Sequence, residues 1–479
     1  MRLHNGIQVK PCGPENRDQS GTVGFDKNKP YWSQKQGFPP KDINRKASFK
    51  EGKEPTCLYD DEDGIVCRHV STYFSKQVLL NQGGKFDLSQ LDSIENIEKN
   101  ISPSIEYDHY KLIKNPQEVH FIGHKCLGNF FATQFREMWS EGQSVKSYII
   151  RCDEFHTMAL RLRIKINSQS NEKLNVVSFY DPSIIESEGE GSIIEYVDRT
   201  IRCEVDDITR FESFSGDYTF RSFITYDAPE NWGDTLVIVN LTDLTRSNSL
   251  EMHQKSHVIG DLFTPKMMNM LMFGGGNQAT FGHYECTLLK MKNHPGYDYF
   301  INNEFSNFLE ANIDDDPGIR RAIKYGQCAA IRGWASLSKY IPDELRDSLI
   351  IRCLSIDQED STMLSMNIVQ FNRVDSFIAL FDVMKCISES KRKCCIDTVM
   401  NQLLASIIEK GDPMFLQAVK KWFPHLTRDE FEKYIYNFCC AQGSNKNPTL
   451  IDLAIIRAID NKDDGFRRAW NKFWPEMKL

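Results

Sequence analysis

A run of strict alternation constrains this chain more than any other feature. From His156 onward, His156, Met158, Leu160, Leu162, Ile164 and Ile166 share one face, and Ala159, Arg161, Arg163 and Lys165 share the other. A period of two is a strand with one face buried. The polar stretch Asn167-Ser168-Gln169-Ser170-Asn171 follows, and Leu174 to Asp181 reads as a second strand. Two such runs joined by a short polar loop predict a β-hairpin. A turn centred between Ser168 and Gln169 sets His156 opposite Asp181 at the open end. Cross-strand neighbours lie about 4.5–5.5 Å apart, near enough for a carboxylate to hold an imidazole in one tautomer. That is the orienting half of a nucleophile–base–orienter triad, whose third member must come from elsewhere.

The nucleophile candidate lies upstream. After the acidic run Asp60-Asp61-Glu62-Asp63, the residues Val66, Val70, Tyr73, Phe74, Gln77 and Val78 recur at helical spacing. Cys67 then falls in the first turn of an amphipathic helix. A helix amino terminus stabilises an anion and lowers the pKa of a thiol that faces it. The bland alternative is a small buried thiol, since free cysteine is among the most buried residue types. Cys57 precedes the acidic run, outside the expected helix.

Composition narrows the function classes. The 479 residues are enough for about three domains. A net charge of −8, from 58 basic and 66 acidic residues, leaves no basic excess for nucleic acid or an anionic membrane surface. No apolar run is long enough to span a bilayer, and Met1 to Gly6 lacks the apolar core of a secretory signal. Fourteen cysteines spread over such a length favour free thiols in a reducing compartment. No CxxC pair occurs at zinc spacing, and no cofactor motif is present. Gly274-Gly275-Gly276 lacks the strand and helix context of a phosphate loop.

The chain divides into three parts. Residues 1–50 are polar and aperiodic and are expected to be disordered or loosely attached. Residues 51–300 mix helical and β patterns. Val119 to His124 predicts a strand with His120 and His124 on alternate positions, a pair of metal-ligand type that, without a third ligand, reads instead as packing or surface histidines. Leu127 to Trp139 predicts a helix, and Tyr148 to Ile150 and Thr235 to Leu241 predict strands. The Met-rich run Met267 to Met272 reads as core. From residue 305 to residue 479 helical periods dominate, among them Ala322 to Tyr340, Asp343 to Cys353, Phe377 to Ile387 and Phe415 to Trp422. Thr362-Met363-Leu364, Thr398-Val399-Met400 and Thr449-Leu450-Ile451 each read as opening a helix. A plain helical bundle and degenerate ankyrin-like repeats both fit.

Cys67 at a helix start, His156 at a strand start and Asp181 at a strand end are the parts of a papain-like cysteine protease site. A helix presents the thiol, and an antiparallel sheet packed on it presents the base and its orienter. The expected fold class is α+β, with such a domain followed by an all-α helical one. At these residues the chain resembles a known family. Gly64-Ile65-Val66-Cys67-Arg68-His69, Phe155-His156-Thr157-Met158-Ala159-Leu160 and Phe179-Tyr180-Asp181-Pro182-Ser183 are similar to the motifs of type III secreted cysteine protease effectors, the EspL and Shigella enterotoxin 2 (OspD-type) family. The resemblance implies a protein injected into the host cytosol that cleaves host signalling proteins, RHIM-containing necroptosis and inflammation proteins among them for some members. It implies Cys67 as nucleophile, His156 as base and Asp181 as orienter. It also implies a secretion signal, with its chaperone, in the first 50 residues, and a substrate-recruiting helical tail. Two other readings stay open: a deamidase or acyltransferase using the same triad, and a non-enzymatic scaffold that binds a host protein through its tail.

Overall fold

The computed structural model describes residues 32–35 and 48–49 and most of 64–422. The longer breaks within that span fall at 82–85, 152–156, 167–172, 187–194, 210–234, 242–253, 312–316 and 355–367. The chain forms two compact units, one from residues 1–112 and 117–262, the other from residues 113–116 and 263–479.

The first unit is built on an eight-stranded sheet in the order β1-β6-β5-β4-β3-β7-β2-β8. Its strands are β1 (Trp32–Lys35), β2 (Glu118–Gly123), β3 (Val145–Arg151), β4 (Thr157–Ile166), β5 (Lys173–Glu186), β6 (Glu195–Val205), β7 (Thr235–Asn240) and β8 (Lys255–Ile259). All neighbours run antiparallel except β2 and β8, so the sheet is mixed and the class is α+β, as the sequence predicts. The strand β1 lies inside the segment expected to be unstructured, and it pairs with β6. Among the described residues, no helix is long and apolar enough to cross a membrane.

Helices cover both faces of the central strands. The helix α1 (Cys67–Leu80) lies on one face, and α2 (Ile94–Asn100) and α3 (Ser104–Lys114) follow it. Val70, Tyr73, Phe74 and Val78 of α1 pack on Ala159 of β4 and Tyr180 of β5. The ring of Phe74 stacks on that of Tyr180, centroids 4.7 Å apart. The helix α4 (Leu127–Glu141) packs on the other face, where Phe130, Phe131, Phe135 and Met138 meet Tyr148, Ile150, Met158, Leu160, Leu162, Val177 and Phe179. The alternation in β4 therefore holds, but its second face is also covered at the strand start. Thr157 and Ala159 are buried there, and exposure grows only toward Ile166.

The hairpin forms with a register different from the expected one. Ala159 pairs with Tyr180, Leu160 with Phe179 and Ile166 with Lys173. Continued by one step, this ladder sets Asp181 opposite Met158, two residues along β4 from the expected partner His156. The reason is physical: a slide by two positions keeps every side chain on its own face, so the apolar pattern does not distinguish the registers. Loop length decides, and the ladder is centred between Gln169 and Ser170, one residue beyond the expected centre.

The second unit is helical: α5 (Pro265–Gly274), α6 (Gln278–Met291), the stretch Tyr297 to Glu310, α7 (Gly318–Lys324), α8 (Cys328–Ser338), α9 (Asp343–Leu354), α10 (Val374–Met384), α11 (Glu389–Lys410) and α12 (Pro413–Trp422). The Met-rich run is buried within α5. Thr264 caps α5 through its side chain, and Asn277 caps α6. Arginines close helix ends: Arg320 Nε donates to the Cys353 carbonyl at 2.7 Å, Arg346 Nε to that of Cys386 at 2.6 Å, and Arg373 Nε to that of Lys324 at 3.0 Å. The single helix expected over Ala322 to Tyr340 is two, because Gly326 takes a left-handed φ of 72° between α7 and α8. Thr398 does not open a helix; it sits inside α11 with its hydroxyl on the Cys394 carbonyl at 3.0 Å. The Thr362 and Thr449 segments lie outside the described residues.

Candidate functional site

Cys67 is the first residue of α1, and its thiol is half-buried. Val66 before it is extended, φ −112° and ψ 176°, so the helix begins abruptly at the cysteine. Cys67, Ser71 and Ser75 stand at i, i+4 and i+8, one stripe of the helix. Ser71 and Ser75 are fastened to the sheet. Ser75 Oγ donates to the Tyr148 carbonyl of β3 at 3.1 Å, and Ser71 Oγ donates to the Thr157 carbonyl of β4 at 2.8 Å. The stripe thus follows the sheet toward its end, with Cys67 one turn beyond Ser71.

The other side of the helix start holds a buried polar group. Val66 N–H donates to His69 Nδ1 at 3.0 Å, and His69 Nε2 meets Glu106 Oε2. Arg68 Nε donates to the same oxygen at 3.2 Å. One turn on, Thr72 Oγ1 and His109 Nδ1 are 2.9 Å apart. Burial pushes the imidazole of His109 well below its ordinary pKa, so it is neutral. Burial would raise the Glu106 carboxyl, but the hydrogen bond from His69 and the Arg68 charge outweigh it and hold the pKa at about 2.

The other two residues of the expected triad are placed unequally. His156 lies outside the described residues; its neighbour Thr157 opens β4. Asp181 is in β5, with its backbone paired to Arg199 of β6. Between Asp181 and Ile184 the β5–β6 ladder gains a residue, a bulge that changes the phase of the strand. Met158 and Leu160 face α4, whereas Ala159 and Tyr180 face α1. The sheet thus brings the chain next to His156 beside the α1 stripe through Thr157. Cys57 lies outside the described residues.

Of the two histidines offered by the sequence as a metal pair, His120 sits in a buried polar cluster. His120 is buried on β2, its Nε2 2.9 Å from Glu118 Oε1 and its Nδ1 3.0 Å from Nδ1 of His257 on β8. Lys146 Nζ stands 3.8 Å from Glu118 and 3.2 Å from Glu137, a fixed cation already inside the cluster. His124 lies outside the described residues. Among the described residues no group of three His, Cys, Asp or Glu side chains is placed to hold a metal ion.

Sequence reasoning missed Ser71, His69 and Glu106. Ser71 and Ser75 carried a signal: small hydroxyl residues at i and i+4 on a helix that otherwise packs through Val, Tyr and Phe. The His69–Glu106 pair spans 37 residues and two helices, and no local pattern marks it.

No curated protein and no solved structure matches this chain. Residues 14–281, more than half of the chain, match the family described as ShET2 enterotoxin, N-terminal region. The match spans Cys67, the α1 stripe and the whole hairpin, and it fits a secreted bacterial virulence effector. The chain belongs to the ShET2 enterotoxin family.

Proposed function

We propose that this protein is a cysteine protease delivered into host cells, with Cys67 as nucleophile, His156 as general base and Asp181 as its orienter. The observation that carries the reading is the Ser71–Thr157 hydrogen bond. It fastens the helix that starts at Cys67 to the strand that starts beside His156. A helix presenting a thiol at its first residue, packed on an antiparallel sheet, is the layout a papain-like site needs. The imidazole takes the thiol proton to give a thiolate–imidazolium pair, and the thiolate attacks the scissile carbonyl. The backbone N–H of Cys67, at the positive end of α1, is one donor for the oxyanion that forms.

The reading sets a geometric condition. With Met158 on the α4 face, the chain before Thr157 must leave the two-residue period for His156 to reach the α1 side. The β5–β6 bulge lies beyond Asp181, whose pairing with Arg199 keeps the register of Tyr180 with Thr200, so the same condition applies to Asp181. On this reading the second unit recruits host signalling proteins, RHIM-containing ones among the candidates. The first 50 residues carry the export signal for the type III route and its chaperone.

The test is terminal proteomics. Purified full-length protein is incubated with host-cell lysate, and new protein amino termini are compared with those made by Cys67→Ala, His156→Ala and Asp181→Asn. New termini that vanish in Cys67→Ala and His156→Ala, with Asp181→Asn strongly reduced, are the expected result. Equal cleavage by Cys67→Ala overturns the reading. A small mass change on a target without chain scission replaces proteolysis by deamidation or acyl transfer at the same site.

A further inference from the structure

We propose that His69 and Glu106 are positioning residues for Cys67, a buried imidazole–carboxylate pair that fixes the backbone from which the thiol is presented. The inference rests on the reading of Cys67 as the nucleophile and assigns two residues to that site.

The hydrogen bonds fix the protons. A ring nitrogen that accepts an N–H carries no proton of its own. His69 Nδ1 accepts from Val66 N–H at 3.0 Å, so the proton sits on Nε2, which donates to Glu106 Oε2. Glu106 therefore selects the tautomer that can receive the Val66 N–H. Val66 occupies the position where a helix ordinarily has Ser, Thr, Asp or Asn, and its side chain has no acceptor. Only the reverse half of a capping box can form, in which the third helical residue reaches back to the N–H before the helix. Here that residue is His69. Val66 is the residue directly before Cys67, so the imidazole holds the backbone that leads into the thiol-bearing residue.

The pair is built at a cost, which a surface cap would avoid. His69 and Glu106 are both almost fully buried, and Oε1 of Glu106 is buried without a hydrogen-bond partner among the described residues. Phe49 meets the His69 ring edge-on, centroids 5.2 Å apart, and holds it in place. Arg68 Nε is 3.2 Å from Oε2, so a guanidinium balances the carboxylate beneath the helix start. A bare carboxylate there would oppose a thiolate at Cys67. The Arg68–Glu106 ion pair removes most of that opposition while the imidazole keeps the backbone fixed.

The experiment uses the full-length chain. The rate of Cys67 alkylation by iodoacetamide is followed by peptide mass spectrometry across a pH series, beside thermal unfolding of each variant. The variants are His69→Phe, which keeps the ring volume without an acceptor, and His69→Gln, whose amide can accept from Val66 N–H and donate to Glu106. His156→Ala is the control. The expected result is that His69→Phe moves the Cys67 profile to higher pH, with about a tenfold slower reaction at neutral pH, while His69→Gln stays near wild type. Where His69→Phe does not fold, His69→Leu carries the same expectation. A His69→Phe or His69→Leu profile that coincides with wild type overturns the positioning role. So does a folded His69→Gln that reacts as slowly as an ordinary thiol. In both cases a loss in His156→Ala leaves the protease reading standing. A wild-type Cys67 that reacts no faster than the exposed Cys286 overturns both.

Discussion

The hydroxyl of Ser71 donates to the carbonyl of Thr157 at 2.8 Å, and both residues are buried. One bond thus joins the second turn of the cysteine helix to the first residue of the central hairpin. Ser71→Ala leaves that carbonyl buried and unsatisfied. We expect a loss of about 1–3 kcal/mol in stability, read from the urea midpoint at unchanged slope. On the protease reading, Cys67 alkylation falls as well, because the helix start is released from the strand. Ser75→Ala removes the bond to Tyr148 and costs similar stability, with less effect on Cys67, which is two turns away.

Acid sensitivity follows from Glu106. Its folded pKa is about 2, below the ordinary 4.5, so the carboxylate contributes stability that is fully present above the ordinary value and is lost as pH falls toward about 2. Glu106→Gln should therefore be less stable than wild type at neutral pH, and the gap should close on acidification. Glu118 is also held at about 2, after burial by its bonds to His120 and Asn240 and the Lys146 charge, and it titrates in both proteins. The difference between the two denaturation series isolates Glu106. A gap that is constant with pH contradicts the assignment.

The thiols should sort by burial. Burial pushes Cys328 up to about 11 and Cys353 up to about 12, so neither presents a thiolate at neutral pH. Cys286 and Cys394 are exposed. In the native protein, iodoacetamide should label Cys286 and Cys394 at ordinary rates and leave Cys328 and Cys353 unlabelled until denaturant is added. Mass spectrometry of the peptides checks this. Native labelling of Cys353 would show that α9 opens far more readily than its packing implies.

Gly275 admits no side chain. Its φ is +77°, and a Cβ would stand 2.3 Å from the Ile113 carbonyl oxygen and 2.8 Å from Gln327 Oε1. Gly275→Ala combines left-handed strain with a clash against backbone, and we expect at least about 2 kcal/mol of destabilisation. Gly142 also has a positive φ, +66°, but nothing lies near it. Gly142→Ala should cost only the backbone strain, about 1 kcal/mol. Thermal unfolding of the two variants side by side separates crowding from strain.

Much of this architecture is legible in the chain itself. The α1 helix begins at Cys67 because Val70, Tyr73, Phe74 and Val78 are spaced for it, and β4 follows its alternation from Thr157 to Ile166. The hairpin register was not legible, since slides of two residues are degenerate in apolar pattern and only the loop breaks the tie. Nor was the cover on the Ala159 face, because one small residue beside Arg161 and Arg163 looks solvent-facing until Phe74 and Tyr180 close over it. In the site, a cysteine at a helix start can be read from spacing. The histidine that caps the same helix cannot, because Val66 gives no sign that its N–H is satisfied three residues on.

The helical unit includes residues 113–116, which lie inside the span of the sheet unit in sequence. Asn277 Nδ2 donates to the Pro116 carbonyl at 3.1 Å, and Gly275 closes against Ile113. The two units are therefore interleaved along the gene. A single recombination crossover near residue 262 would hand a descendant either unit with those four residues on the wrong side of the join. Exchange of the helical unit between relatives needs a double crossover or compensating change at Asn277 and Gly275.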